Sequence, residues 1–185
     1  MKAVFLDRDG VINKYPGDFE YVKSADEFQF LPDIKPALKK LNDNGFRIFV
    51  VSNQAGVSKG IFTQHTLDSI TAMMLKGLSD YKIKIDDVFY CTHKPEENCS
   101  CRKPKTGLID KAFAKFKQDN VKIEANSSYF IGDTIRDVET GKAAGLSTIL
   151  VFSGKEKPEN KNNWQTQPDF TAKGLSEAVD IILKK

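Results

Sequence analysis

Long apolar segments are absent from this sequence of 185 residues. The strongest apolar run covers only residues 48–51, whereas a membrane-spanning helix needs about 20 apolar residues. Near the start of the chain, Asp7, Arg8 and Asp9 interrupt an apolar run of four residues, so that run is too short for the core of an export signal. We therefore expect a cytoplasmic protein with no membrane partner.

Cysteine is scarce and is confined to one place. Cys91, Cys99 and Cys101 all lie within eleven residues of one another, and an odd number of cysteines in a reducing compartment argues against a disulfide framework. A strong charge of either sign is also lacking, because the formal net charge is only +3. The composition therefore favours metal binding by the cysteines and gives no indication of a nucleic-acid partner.

The sequence does contain an alternation of short apolar runs with segments of helical periodicity. Strand-like runs occupy residues 3–6, 46–51, 87–90, 128–131 and 148–152, and helical patterns occupy residues 33–45, 66–81, 107–116 and 136–144. This alternation predicts an α/β fold, a doubly wound and mainly parallel sheet with helices on both faces. The length fits one domain that covers residues 1–185.

Three further segments complete the predicted fold. Residues 12–31 have no clean period, and we expect an ordered loop or small hairpin that projects over the strand ends. Residues 154–168 are polar and rich in turn formers, which indicates an exposed connection. A short strand at residues 169–171 and a final helix follow.

Polar motifs occur at the predicted carboxyl ends of strands, the edge at which doubly wound sheets bind ligands. Together they indicate phosphate chemistry with a divalent cation. Taken alone, each motif also fits a purely structural role: D-x-D-G fits an Asx turn, S-N fits a turn, and Asp133 fits a helix N-cap. Asp137 fits either a supporting residue of the site or an ordinary ion pair. The motif residues are Asp7 and Asp9 in LDRDG, Ser52 and Asn53 in VSNQ, Arg102 and Lys103 in CRKP, and Asp133 and Asp137 in GDTIRD.

The cysteines and one histidine form a pattern typical of a zinc site. Cys91, His93, Cys99 and Cys101 are arranged as C-x-H-x5-C-x-C. Three thiolates and one imidazole complete the tetrahedral set that structural zinc sites use and leave no position open for water. The sequence therefore predicts a structural zinc ion that holds the loop before Arg102 and Lys103.

The motifs LDRDG, VSNQ, RKP and GDxxxD, in this order, resemble the four motifs of the haloacid dehalogenase superfamily of phosphohydrolases. The resemblance extends over residues 1–152. Within the superfamily, the closed zinc loop, NQAG and CRKPKTG look like the branch that contains D-glycero-D-manno-heptose 1,7-bisphosphate 7-phosphatases and histidinol-phosphate phosphatases. That branch lacks a large cap domain, and no insertion in this sequence is long enough to form one.

The resemblance implies a reaction in two steps with a covalent intermediate. Asp7 would be the nucleophile that forms an aspartyl-phosphate, and Asp9 would protonate the leaving oxygen and then accept a proton from the attacking water. A catalytic Mg²⁺ would be held by Asp7, Asp133 and the backbone carbonyl of Asp9. Such chemistry is coherent, because covalent catalysis divides a difficult hydrolysis into two easier steps.

The same resemblance implies how phosphate and substrate bind. Ser52, Asn53 and Lys103 would bind the transferring phosphoryl group, and Arg102 would contact the substrate beyond that group. The expected partner is therefore a small phosphorylated sugar or a sugar-like molecule, bound by a monomer.

The identity of the substrate stays open between two compounds. The short segment between His93 and Cys99 resembles the histidinol-phosphate enzymes, whereas residues 13–33 and the NQAGVSKGIFT segment look more like the heptose enzymes. We prefer removal of the 7-phosphate of heptose 1,7-bisphosphate, a step in the synthesis of lipopolysaccharide core precursors. Two rival classes are a zinc-stabilised binding module without catalysis and a nucleic-acid end phosphatase, for which lysines 155, 157 and 161 are the best case.

Overall fold

A computed structural model of the chain describes residues 1–118 and 122–184. In these two ranges the strands form one sheet with the order β3-β2-β1-β4-β5-β6, and every pairing between these strands is parallel. The prediction of a doubly wound, mainly parallel sheet is confirmed. The strands are β1 Ala3–Leu6, β2 Arg47–Asn53, β3 Asp87–Cys91, β4 Tyr129–Gly132, β5 Ser147–Val151 and β6 Phe170–Ala172.

Within residues 1–118 and 122–184, five α-helices connect or follow the strands, close to the predicted positions. The second helix begins earlier than predicted, because the side chain of Thr63 accepts a hydrogen bond from the Thr66 backbone N–H at 3.1 Å and caps the helix there. The fourth helix is capped by Thr134 rather than by Asp133, which leaves the Asp133 carboxylate available for other contacts. The helices are α1 Ile34–Asp43, α2 Gln64–Ser79, α3 Gly107–Gln118, α4 Ile135–Ala143 and α5 Leu175–Leu183.

The central strands are apolar on both sides because helices cover both faces of the sheet. Val4 and Leu6 of β1 pack on the face that carries α1, α2 and α5, and Ala3 and Phe5 pack on the face that carries α3. Phe5 stacks on Phe49 of β2 with ring centroids 5.0 Å apart. Alternate residues of one strand therefore belong to two different core clusters.

The segment between β1 and α1 forms an ordered loop, as predicted. Its ends are joined by backbone hydrogen bonds, from Lys14 to the Gln29 carbonyl at 2.8 Å and from Leu31 to the Ile12 carbonyl at 3.0 Å. The loop leaves from the carboxyl end of β1, so it lies over the edge of the sheet at which ligands are expected. Within the described ranges, no helix combines the length and the apolar character needed to cross a bilayer.

Candidate active site

The carboxyl ends of β1, β2 and β4 bring the predicted site residues together. Asp7 follows β1 directly, Ser52 and Asn53 are the last residues of β2, and Asp133 follows β4. Because these strands are neighbours and parallel, their carboxyl ends meet at one edge. A cleft of about 340 Å³ opens there and is lined by all seven of the residues expected to act in catalysis, phosphate binding or magnesium binding: Asp7, Asp9, Ser52, Asn53, Arg102, Lys103 and Asp133.

Lys103 is the buried cation of the cleft. Its side chain is 2% exposed, and its ammonium group lies 2.9 Å from Asp7 Oδ2 and 2.5 Å from Asp137 Oδ1. Burial by itself disfavours the ammonium form, but attraction to Asp137 and Asp7 outweighs it, so the pKa of Lys103 is raised. Lys103 is therefore a fixed positive charge next to the Asp7 carboxylate.

Three carboxylates crowd this positive charge. Asp7, Asp133 and Asp137 each place an oxygen within 4.8 Å of the others. Burial, followed by repulsion from Asp7 and Asp137, raises the pKa of Asp133 well above its usual range. Burial also raises the pKa of Asp7, although Lys103 opposes that effect.

The charge balance of this cluster indicates what it can hold. With all three carboxylates ionised, the cluster and its ammonium group carry a formal net charge of −2 in a buried place, which is costly unless a cation compensates it. Mg²⁺ prefers oxygen ligands and is usually bound through one or two carboxylates together with phosphate and water. The donor set therefore fits a divalent, oxygen-binding cation at Asp7 and Asp133.

Asp133 is enclosed by backbone that only glycine permits. A Cβ atom at Gly10 would lie 2.3 Å from Asp133 Oδ2, and one at Gly154 would lie 2.0 Å from the same oxygen. That oxygen accepts a hydrogen bond from the Lys155 backbone N–H at 2.8 Å. Close approach of two backbone segments, at Gly10 and at Gly154–Lys155, thus fixes the orientation of the Asp133 carboxylate.

The VSNQ and CRKP motifs are joined to each other and to the site by hydrogen bonds. The Asn53 amide exchanges two hydrogen bonds with the Lys103 backbone, at 3.1 and 3.2 Å, and so ties the end of β2 to the segment that carries the lysine. Arg102 donates to the His93 carbonyl at 3.2 Å, which connects the cleft to the cysteine loop. Ser52 donates its hydroxyl to Asp7 and thereby opposes the increase in the pKa of that carboxyl.

The cysteine cluster has the dimensions of a metal site. The three sulfur atoms lie 3.3 to 3.6 Å from one another, and His93 Nδ1 lies 3.6 Å from Cys91 Sγ and 3.3 Å from Cys101 Sγ. A tetrahedral zinc ion with Zn–S bonds of about 2.3 Å separates its sulfur ligands by roughly 3.8 Å, so the donor set fits zinc.

The thiol groups of this cluster differ in acidity. Although burial opposes the thiolate, hydrogen bonds from Cys101 and from the Arg102 backbone N–H lower the pKa of Cys99 to about 6. Burial raises the pKa of Cys91 to about 12. Cys99 is therefore ionised at neutral pH, and the thiolate is the form of cysteine that binds metal ions.

Comparison with known proteins agrees with this geometry. The chain is 38% identical over 162 residues to the D-glycero-beta-D-manno-heptose-1,7-bisphosphate 7-phosphatase of Haemophilus ducreyi, which covers 83% of this chain and 85% of the relative. It is 35% identical over 192 residues to the enzyme of the same name from Escherichia coli K12, with 99% and 94% of the two chains covered. The family model described as HAD-hyrolase-like matches residues 100–178.

The chain belongs to the haloacid dehalogenase-like phosphatases, in the branch of the heptose-bisphosphate phosphatases. Among solved structures, it superimposes on the D,D-heptose 1,7-bisphosphate phosphatase from B. bronchiseptica, complexed with magnesium and phosphate, with a TM-score of 0.86 and 28% identity. That match covers 100% of this chain and 99% of the other. The family predicted from the motifs is confirmed.

Sequence reasoning left several residues of this haloacid dehalogenase-like phosphatase without an assignment. Asp137, whose role stayed undefined, is the second partner of Lys103. Tyr15, also unassigned, donates its hydroxyl to Asp18 at 2.6 Å, and Asp18 forms an ion pair with Lys155 at 2.7 Å, so this chain of contacts joins the loop after β1 to the loop after β5. Nothing in the local sequence around these residues indicates partners so far apart in the chain.

Two further residues lie outside the site. His65 is exposed. Trp164 is 8% exposed, packs on Phe152 and donates its indole N–H to Glu156 at 2.9 Å, so it stabilises the connection after β5 rather than lining the cleft.

Proposed function

We propose that the protein hydrolyses phosphomonoesters through an aspartyl-phosphate on Asp7. One Asp7 oxygen attacks phosphorus, the bond from phosphorus to the leaving oxygen breaks, and water later cleaves the acyl phosphate. Two observations support Asp7 as the nucleophile. Its side chain lies at the tip of the central strand, and its Oδ1 is held by the Arg8 backbone N–H at 2.7 Å, which fixes the direction of the carboxylate.

Asp9 supplies the proton in this proposal. It protonates the leaving sugar oxygen in the first step and accepts a proton from the attacking water in the second step. Asp9 is two residues beyond the nucleophile and lines the same cleft, which supports this assignment.

The residues around Asp7 bind the transferring phosphoryl group and neutralise its charge. Lys103 places its ammonium group next to the phosphoryl group, and Ser52 and Asn53 at the end of β2 make further contacts with that group. When bound by Asp7, Asp133 and the backbone carbonyl of Asp9, Mg²⁺ supplies additional neutralisation of negative charge. A zinc ion held by the cysteine cluster stabilises the loop that carries Arg102 and Lys103.

We propose heptose 1,7-bisphosphate as the substrate, with loss of the 7-phosphate in the synthesis of lipopolysaccharide core precursors. The names of the relatives support this choice. The cleft adds support for a second phosphate, because Lys59, Arg102 and Arg136 also line it, and none of the three forms an ion pair within the described part of the chain. We also propose a cytoplasmic monomer, and one domain over residues 1–185, since all six described strands belong to one sheet.

The single observation that carries the proposal is the buried contact of Lys103 with Asp7 beside Asp133, at the strand edge of a chain from this family. A phosphate-release assay tests it. The panel comprises both anomers of heptose 1,7-bisphosphate, histidinol phosphate and an oligonucleotide with a 3′-phosphate, each with and without Mg²⁺.

We expect Mg²⁺-dependent release to be fastest for one heptose anomer. Preference for histidinol phosphate would favour the alternative of a histidinol-phosphate phosphatase, which the short segment between His93 and Cys99 resembles. Preference for the oligonucleotide would contradict the substrate class, and no release at all from any compound would support a binding module. The Asp7→Asn variant should be folded and inactive, and turnover close to that of the wild type would refute the role of Asp7.

A further inference from the structure

The Asp9 carboxylate is held by an unusual number of donors. Arg8 Nε and Nη2 donate to Asp9 Oδ1 at 3.2 and 3.0 Å, and Nη2 also contacts Oδ2 at 3.0 Å. The Asn13 amide donates to Oδ1 and the Gln54 amide donates to Oδ2, both at 2.9 Å. Five contacts from three side chains therefore determine the position of one carboxylate.

These three donors are buried and leave other polar atoms without partners. Arg8, Asn13 and Gln54 are each 0% exposed. Among the described residues, the buried side-chain atoms with no hydrogen-bond partner are Arg8 Nη1, Asn13 Oδ1 and Gln54 Oε1, and all three belong to the donors of Asp9. Burial of three polar side chains is costly unless they form hydrogen bonds, and the bonds that these three share are those to Asp9.

Arg8 itself is held from the far side by the edge strand. Its guanidinium lies over the ring of Tyr90 in β3, with 5.7 Å between Cζ and the ring centroid. The Tyr90 hydroxyl is joined to the hydroxyl of Thr71 in α2 at 3.1 Å. A buried arginine thus reaches from β1 towards β3 and α2, and the only carboxylate with which it pairs in the described part of the chain is Asp9.

We propose that Arg8, Asn13 and Gln54 are positioning residues that orient the Asp9 carboxylate for proton transfer. This inference rests on the proposed role of Asp9 as the acid of the first step. In that step the O–H bond of Asp9 breaks while the leaving oxygen gains the proton, the bond from that oxygen to phosphorus breaks and the bond from phosphorus to Asp7 forms. None of the three residues touches the substrate; each acts through the direction in which Asp9 points, since an error of about 1 Å in such geometry can reduce a rate by about 10²-fold.

The dependence of the rate on the leaving group tests this proposal. A nitrophenolate leaves without a proton, whereas an alkoxide requires one, so misdirection of Asp9 should slow cleavage of an alkyl phosphate far more than cleavage of p-nitrophenyl phosphate. The measurement is the single-turnover rate of leaving-group release in saturating Mg²⁺. Because the leaving group departs in the first step, this rate does not include the later attack by water. The alkyl ester is whichever phosphate in the panel above is turned over fastest, so the test does not depend on the substrate proposal.

Four variants separate the outcomes. Asp9→Asn should increase the ratio of aryl to alkyl rates by about 10²-fold or more. Arg8→Lys, which retains charge without the planar fork, and Gln54→Met, which removes the amide at similar volume, should each increase the ratio by roughly tenfold or more, with little change in KM for the alkyl ester. Thr148→Val removes a buried hydroxyl near the amino end of β5, away from the strand ends that form the cleft. This variant controls for destabilisation and should leave the ratio at the wild-type value.

The results distinguish failure of this proposal from failure of the proposed function. If Asp9→Asn increases the ratio and the folded Arg8→Lys and Gln54→Met proteins do not, the positioning role is wrong while the role of Asp9 stands. If Asp9→Asn leaves the ratio unchanged, the acid role of Asp9 is wrong and the positioning role is wrong with it. Should Arg8→Lys fail to fold, the Gln54→Met result alone decides.

Discussion

Lys103 and Asp137 lie 34 positions apart in the chain and form an ion pair of 2.5 Å in which the two side chains are only 2% and 1% exposed. The second carboxylate oxygen of Asp137 accepts hydrogen bonds from the Thr134 backbone N–H at 3.1 Å and from the Thr134 hydroxyl at 2.6 Å. The start of α4 therefore fixes Asp137, and Asp137 in turn fixes the ammonium group that faces Asp7.

Replacement of Asp137 by asparagine tests this dependence. The amide is similar in size but carries no charge to hold Lys103, so we expect kcat for phosphate release to fall by about 10- to 100-fold at saturating Mg²⁺. Glu139→Gln removes one negative charge from the same helix outside the cleft and should leave kcat unchanged. An unaltered kcat in Asp137→Asn would show that Asp7 alone suffices to position the lysine.

Much of the fold follows from the sequence because its signals are local. The apolar runs and the helical periodicity predict the parallel sheet, and the fixed order of motifs along the strands predicts which residues meet at its carboxyl edge. The short-range spacing of Cys91, His93, Cys99 and Cys101 likewise predicts one compact cluster.

The contacts that sequence reasoning missed are those between distant segments. Asp137 meets Lys103, and Gln54 meets Asp9, only after helices and loops have packed. Arg8 is a different case, because nothing in LDRDG indicates that this charged residue is fully buried. Its pairing with the neighbouring Asp9 is what makes that burial tolerable.

The cysteine cluster leads to a prediction about metal content and stability. Protein purified without chelator should contain one zinc ion per chain by elemental analysis, and Cys99→Ser should lose it. A structural zinc ion contributes directly to folding, so loss of about 3 kcal/mol should lower the melting temperature by about 10 °C in a chain of this length. Ser100→Ala alters the neighbouring exposed residue and should retain both zinc and stability. If the purified wild-type protein contained no zinc and Cys99→Ser had the melting temperature of the wild type, the cysteine cluster would not be a zinc site.

The glycine that faces Asp133 gives a prediction about magnesium. In Gly154→Ala the new Cβ would lie 2.0 Å from Asp133 Oδ2, so the carboxylate must move away from the position held by the Lys155 backbone N–H. We expect the Mg²⁺ concentration for half-maximal activity to increase by roughly tenfold or more, in the range produced by disturbing groups that orient a metal ligand.

Gly174→Ala is the matched control for this substitution. Its Cβ would meet only the Ser153 side chain at 3.9 Å, which is an ordinary contact. Magnesium dependence in this variant should equal that of the wild type. Equal dependence in Gly154→Ala as well would show that the Asp133 carboxylate is free to move without loss of the metal.

The buried carboxylates predict how stability depends on pH without Mg²⁺. Burial and repulsion raise the pKa of Asp133 in the folded protein well above the ordinary value of 3.8. At pH values between 3.8 and the raised pKa, the folded state binds more protons than the unfolded state. The contribution of Asp133 to the free energy of unfolding therefore falls as pH increases through that window. Protonation at the low end of the window removes the repulsion, and full ionisation at the high end restores it.

Urea unfolding of wild type and Asp133→Asn, in buffer freed of Mg²⁺ by dialysis so that zinc is retained, measures this contribution. The stability of wild type relative to Asp133→Asn should decrease from pH 5 to pH 8 without Mg²⁺. Saturating Mg²⁺ should reverse the trend, because the cation binds the ionised carboxylate and stabilises the folded state that holds it. A difference between the two proteins that is independent of pH and of Mg²⁺ would mean that Asp133 neither resists ionisation nor holds the cation, and the charge balance of −2 at the end of β4 would need another explanation.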